Sequence, residues 1–308
     1  MAGRGGAIGA STGGIGTEGG SSGGGDFASD HTYVVERYRL PTTSDEVREF
    51  GLDIDGDGRG DNAFVMVLAT LASYFDARSA MDKAIDSGAV IVLADLRTGS
   101  LVSSVDASLI VLRGTNAEPV PCSDPMNLGT CRRHLAGSGS FDVEIGAAAD
   151  EPITGGITGA VFAGDSGTMT LPVMLNRAEP LYLRLVGARA RLSEMTDTAI
   201  GSGVLGGALL KFEIDAQVIP YLAANYQVIV ERDCDTPTQP DCGCISGSTG
   251  RTVIALLDTT PDCMVTAAEV GANTIINSLF APDVMIDGQP AMSFGASVSL
   301  AKAHFTPP

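Results

Sequence analysis

The residues best placed to do chemistry fall in one stretch, Asp53-Ile54-Asp55-Gly56-Asp57-Gly58-Arg59-Gly60-Asp61-Asn62. Three carboxylates alternate, a glycine follows the third, and another acid stands four residues after it. Alone on a tight loop these anions repel one another. A hard cation with oxygen ligands removes the repulsion, and Ca²⁺ is the usual one. Counted as a calcium loop, Asp53, Asp55, Asp57 and Asp61 take positions 1, 3, 5 and 9. Gly58 takes the sharp turn at position 6, and Arg59 offers its backbone carbonyl at position 7. Phe64 stands where a bidentate carboxylate is usual, which implies modest affinity. The plainer reading is a solvated acidic turn, since Asp and Gly are also ordinary turn formers.

A second stretch has the same logic. Asp258, Thr260, Asp262, Met264 (by its carbonyl), Thr266 and Glu269 fall at positions 1, 3, 5, 7, 9 and 12, with Val265 at the apolar position 8. Cys263 stands where glycine is usual, and a Cβ strains a left-handed turn, so calcium binding is expected to be weaker or lost here; the plainer reading is a vestigial loop kept for its fold. A third stretch, 283–293, keeps Asp283, Asp287 and Gly288 but no further acids, and reads as a decayed loop that binds nothing.

Other motifs are weaker. Gly164-Asp165-Ser166-Gly167 is shaped like a serine-protease nucleophile motif, and His31 precedes it. The expected proline is absent, and His31 borders Gly-rich text, so a hairpin turn between strands at 159–163 and 168–173 is the better reading. Gly247-Ser248-Thr249-Gly250-Arg251-Thr252 lacks the spacing and the lysine of a phosphate loop. His134, after Arg132 and Arg133, reads as a solvated loop residue. No catalytic residue is assigned, and the chain is read as a non-enzyme.

Cysteines stand at 122, 131, 234, 242, 244 and 263, in loop-like text. An even number in such loops points to disulfides and an oxidising compartment. Cys122 with Cys131 is the first expected bridge; the other four are open among three connectivities. Zinc is disfavoured by the short Cys242-Gly-Cys244 spacing.

The elements that must position these residues follow from periodicity. Residues 1–28 are a Gly/Ser-rich tether with too little apolar surface to offset chain entropy. Strand 33–40, the acid loop, and helices at 63–75 and 79–87 come next. Asn62 is the expected helix cap. From 89 to 195 the pattern is β-rich, with strands near 89–96, 108–113, 141–145, 159–163, 168–173 and 181–192. After Gly201 the chain reads as helical, with a run from Pro220 to Glu231, a Cys-rich loop at 234–244, and helical patterns at 252–257 and 268–280.

The fold class is therefore α+β: an antiparallel, β-sandwich-like sheet core flanked by helices that carry the calcium-loop motifs. Residues 29–308 form one integrated domain, divided into 29–88 (calcium loop and helices), 89–195 (β-rich core) and 196–308 (helices, Cys-rich loop and EF-hand-like loop). Bases number 19 against 37 acids, a net charge of −18, which repels nucleic acid and anionic membrane. No apolar run is long enough for a transmembrane helix. Met1 runs into Gly-rich text with no signal peptide, at odds with disulfides; a start trimmed of its leader reconciles the two.

Asp53–Asp61 resembles a thrombospondin type-3 repeat loop, and 258–269 resembles an EF-hand or dockerin loop. The wider order is similar to an uncharacterised family of secreted or lipid-anchored myxobacterial proteins. The likeness rests on 53–62, on Ile85-Asp86-Ser87-Gly88, Cys234 and the Glu269 loop, and on Ala281-Pro282-Asp283 leading to Ser293-Phe294-Gly295. It implies calcium binding and an extracellular or cell-envelope location, and no known activity. The expectation is a calcium-binding structural, adhesive or binding module with a surface or matrix partner. The alternative is a secreted hydrolase with structural calcium.

Overall fold

The computed structural model describes residues 1, 31–124, 126–144, 150–175, 179–235 and 242–306. Apart from Met1, the expected tether lies outside these residues. The chain opens with β1 (Thr32–Arg39), α1 (Ser44–Glu49), α2 (Ala63–Thr70) and α3 (Ala77–Asp86). A sheet-forming run follows: β2 (Val92–Thr98), β3 (Ser103–Glu118), β4 (Gly139–Val143), β5 (Ile153–Thr158), β6 (Val161–Val173), β7 (Leu181–Met195) and β8 (Ala199–Leu210). Next come α4 (Lys211–Glu213), a π-helical turn (Ile214–Val218), α5 (Ile219–Asp233), α6 (Thr249–Leu257), α7 (Ala267–Ala272) and α8 (Thr274–Leu279). The hairpin of β9 (Val284–Ile286) and β10 (Gln289–His304) ends the described elements.

The mixed composition is as expected, but the sheet is one sheet closed on itself rather than two layers. Antiparallel pairing runs β1–β2–β3–β5–β6–β7–β8–β10 and back to β1. Closure removes the sheet edges that a sandwich leaves to be covered. The structure departs from the sequence pattern at two strands. Where helix is expected after Gly201 the chain forms β8, whose alternation Gly201, Gly203, Gly206 and Gly207 dilute. β10 was hidden under the third acidic loop. Asp287 (φ 51°) and Gly288 (φ 76°) form instead the two-residue turn of the β9–β10 hairpin.

The interior is filled. Leu96, Leu109, Phe162, Leu192, Leu205 and Val298 are buried in one continuous core that also takes Phe64 and Tyr226 from α2 and α5 and Phe75 from the connection between α2 and α3. The expected hairpin turn at 164–167 is a bulge within β6: register shifts on both sides of Gly167, and Ser166 sits at φ 63°. The turn itself lies earlier, at Gly159-Ala160, both with positive φ. His134, expected to be solvated, is fully buried beside Phe141. All six cysteines are bridged, as Cys122–Cys131, Cys234–Cys244 and Cys242–Cys263. The helix expected over 268–280 breaks at Asn273, whose side chain caps α8 by accepting from Ile275 and Ile276.

Candidate metal site on the barrel wall

The acid loop is held against the outer wall by apolar anchors. Residues paired across β8 and β10 share a face, and Met292 with Leu209 points into the main core. Ala291 and Ala208 therefore point outward, where they form a small separate cluster with Ile54 and Val284, against which Leu52 and Ile286 pack. The alternation Leu52-Asp53-Ile54-Asp55 thus places apolar side chains under the loop and carboxylates above it. Leu52 and Asp61 pair as an antiparallel bridge that pinches the loop shut.

Gly295 admits the strap. A Cβ there would lie 2.2 Å from the Phe50 carbonyl oxygen, so only glycine allows this approach. The Asn62 amide then pairs with the Gly295 backbone, accepting from its N–H at 2.8 Å and donating to its carbonyl at 3.0 Å. Asn62 occupies the cap position of α2 but makes no side-chain cap bond. Ser293 Oγ takes that role from β10, accepting from the Ala63 N–H at 2.8 Å. Ser293 is in turn gripped by Asp283, which accepts its backbone N–H at 2.8 Å and its hydroxyl at 2.5 Å. The 283–293 stretch is the anchor of the first loop rather than a relic of a third.

Asp53, Asp55 and Asp61 each bring a carboxylate oxygen within 4.8 Å of the other two. Asp57 stands outside this cluster; its Oδ1 accepts the Arg59 N–H at 2.8 Å. Asp53 accepts the N–H groups of Gly56 and Gly58 at 2.7 and 3.0 Å, and Gly58 has φ +85°, as the sharp turn requires. Asp61 accepts the Ile54 N–H at 2.8 Å. Burial, followed by the charges of Asp55 and Asp283, pushes the Asp61 carboxyl above its ordinary range despite that bond. Three convergent carboxylates are a donor set suited to a hard divalent cation.

The second loop sits between α6 and α7 as expected, and Cys263 adopts φ 65° at the turn. Its acids face other partners. Asp258 accepts the Cys263 N–H and Asp262 the Met264 N–H, each at 3.0 Å. Glu269 accepts Thr259 and Thr260 N–H groups at 2.9 Å and the Thr266 N–H at 3.0 Å, completing a capping box with Thr266. Burial alone would raise the Glu269 carboxyl, but these bonds outweigh it and hold it at about 2. Among the described residues Asp258, Asp262 and Glu269 do not gather around one point. Asp258 does lie close to Cys242 and Cys263, but those sulfurs are bonded to each other and are not free to ligate a cation.

Another polar constellation lies on the outward face of β6 and β7, where Thr170 and Arg184 stand opposite each other. Asp150 accepts from Thr168 and Thr170 hydroxyls at 3.3 and 3.4 Å, and burial raises its carboxyl. Glu213 is buried at the start of the π-helical turn, and its Oε2 has no hydrogen-bond partner among the described residues. Burial raises its carboxyl too, with Arg184 opposing. The Ser166 hydroxyl, by contrast, donates to its neighbour Asp165 and to no other side chain among the described residues, while His31 lies near Asp197. Comparison with protein-family models, with characterised proteins and with solved structures found no match to the chain.

Proposed function

We propose that this chain is a calcium-binding extracellular or cell-envelope module with a structural, adhesive or binding role. The observation that carries the reading is the convergence of Asp53, Asp55 and Asp61 on a loop anchored to β8 and β10. The disulfides support an oxidising compartment. No helix among the described residues is long and apolar enough to cross a membrane. The resemblance to thrombospondin type-3 and myxobacterial loops points to the same ion and location. In this reading Asp57 and the Arg59 carbonyl take the outer part of the shell, with water completing it. The 258–269 loop is assigned the weaker affinity, because Glu269 already serves the loop backbone. Isothermal titration of Ca²⁺ into the full chain tests the reading. One site with a dissociation constant on the order of 10⁻⁴ to 10⁻³ M is expected. Its loss in Asp55→Asn supports the assignment, and an undiminished heat in that variant refutes it.

A hydrolase with structural calcium is the second reading. Asp150 and Glu213 favour it, because a carboxyl raised by burial suits a general acid. Hydrolysis of a polysaccharide or peptide panel that is lost in both Asp150→Asn and Glu213→Gln is its test; equal turnover by wild type and variants excludes that site.

A further inference from the structure

A groove of about 420 Å³ runs along the outer wall between α1 and strands β1, β10 and β8. That volume lies within the range of about 300–1,000 Å³ usual for small-molecule sites. Its floor follows from register. Arg37 pairs with Ser299 and Arg39 with Ser297, so two guanidiniums and two hydroxyls share one face of adjacent strands. Ser202 adds a third hydroxyl from β8, and Glu36 and Glu49 add carboxylates.

We propose that this groove binds a neutral, hydroxyl-rich carbohydrate chain. The proposal rests on the binding-module reading above and names the ligand class. First, the lining is polar: the large apolar residues that reach it, Phe50 and Val298, are 6% and 3% exposed. Second, donors and acceptors are interleaved. Neither Arg37 nor Arg39 has an ion-pair or side-chain hydrogen-bond partner within contact distance among the described residues. Glu36 accepts the Ser299 hydroxyl at 3.2 Å, and its other oxygen has no hydrogen-bond partner among the described residues. Sugar hydroxyls both donate and accept, so they match a mixed set of guanidinium, hydroxyl and carboxylate groups. Third, the groove suits a peptide poorly. Along the groove β10 is paired on both sides, and on the outer side of β1, which β2 leaves beyond Val34, Arg132 and Arg78 donate to the Glu36 and Leu40 carbonyls and obstruct strand addition; the groove lining offers no apolar anchor among the described residues. Fourth, Arg37 and Arg39 face Glu36, Glu46 and Glu49, of which Glu46 is paired with Arg78, so the groove has no excess positive charge to select a polyanion.

The test is affinity electrophoresis of the full chain in gels containing xylan, mixed-linkage β-glucan, galactomannan or dextran. Polygalacturonate and polyglutamate serve as charged controls. The expected result is retardation by at least one neutral polysaccharide, reduced at least tenfold in Arg39→Ala and in Ser297→Val with unchanged melting temperatures. Retardation by none of them, by the polyanions alone, or equally in wild type and both variants overturns the proposal. Calcium titration of the same samples reads the Asp53 loop separately, so failure of the groove and failure of the metal site are distinguishable.

Discussion

At the scale of single residues, the loops separate carboxylates that gather from carboxylates that cap. Glu269 belongs to the second kind. Its low carboxyl pKa, held at about 2, means that it stabilises the fold above the ordinary carboxylate range and loses that contribution as pH falls toward 2. Glu269→Ala should therefore cost about 1.5–3 kcal/mol at pH 7, read by urea denaturation in EDTA, where the lost backbone bonds alone are measured. Glu213 has the opposite sign. Its raised carboxyl binds a proton more tightly folded than unfolded, so its contribution is present below the ordinary carboxylate range and lost as pH rises. Glu213→Gln should raise the melting temperature at pH 8 and leave it nearly unchanged at pH 4. His134 gives a third titration. Burial, then the Arg132 charge, pushes its imidazole to about 4, and the Ile85 backbone and Asp86 pull it back only in part. Stability should fall as pH drops from about 6.5 to 4, because the unfolded chain takes up that proton first. His134→Leu should flatten this limb in melting curves taken across the same pH range.

Among elements, the decisive contact is between the Phe50–Asn62 strap and β10. Gly295→Ala places a methyl against the Phe50 carbonyl and should cost about 1–3 kcal/mol in denaturation while weakening the calcium response. This contact was not legible in sequence, since Asn62 and Gly295 are 233 residues apart. Asn62 carried the marks of a helix cap, and Ser293 carried no mark of taking that role. The acid loop itself was legible, because Asp53, Asp55 and Asp61 are fixed by local turn chemistry. β2, β3, β6 and β7 were legible by alternation, although β6 was cut in two by a glycine-bearing bulge read as a turn. β8 and β10 were not, because small residues line both strands where the strap and neighbouring strands approach closely. Periodicity also cannot tell a closed sheet from a sandwich: both need the same inward–outward alternation, and it is long-range pairings, β3 with β5 and β10 with β1 and β4, that close the sheet.

For the whole molecule, the closed sheet is a rigid wall on which the acid loop and the polar groove are mounted side by side. Ser293 and Gly295 underlie the loop, and Ser297 and Ser299 underlie the groove, on the same face of the same strand. The disulfides tie down the connections outside the sheet circuit; opening Cys122–Cys131, which closes a loop with a sequence separation of 9, should cost about 2–3 kcal/mol. The central claim is that the folded chain binds calcium through Asp53, Asp55 and Asp61. Ligand that binds only the folded state stabilises it by about 2.7 kcal/mol at 100 times the dissociation constant. The most direct measurement is the melting temperature of the full chain in EDTA and in a rising series of Ca²⁺ concentrations, beside Asp55→Asn. The wild type should melt progressively higher as calcium rises through the millimolar range, while Asp55→Asn should melt at one temperature throughout, at or slightly above that of the wild type in EDTA. Superimposable wild-type curves with EDTA and with calcium, or a calcium-dependent rise of equal size in Asp55→Asn, would contradict it.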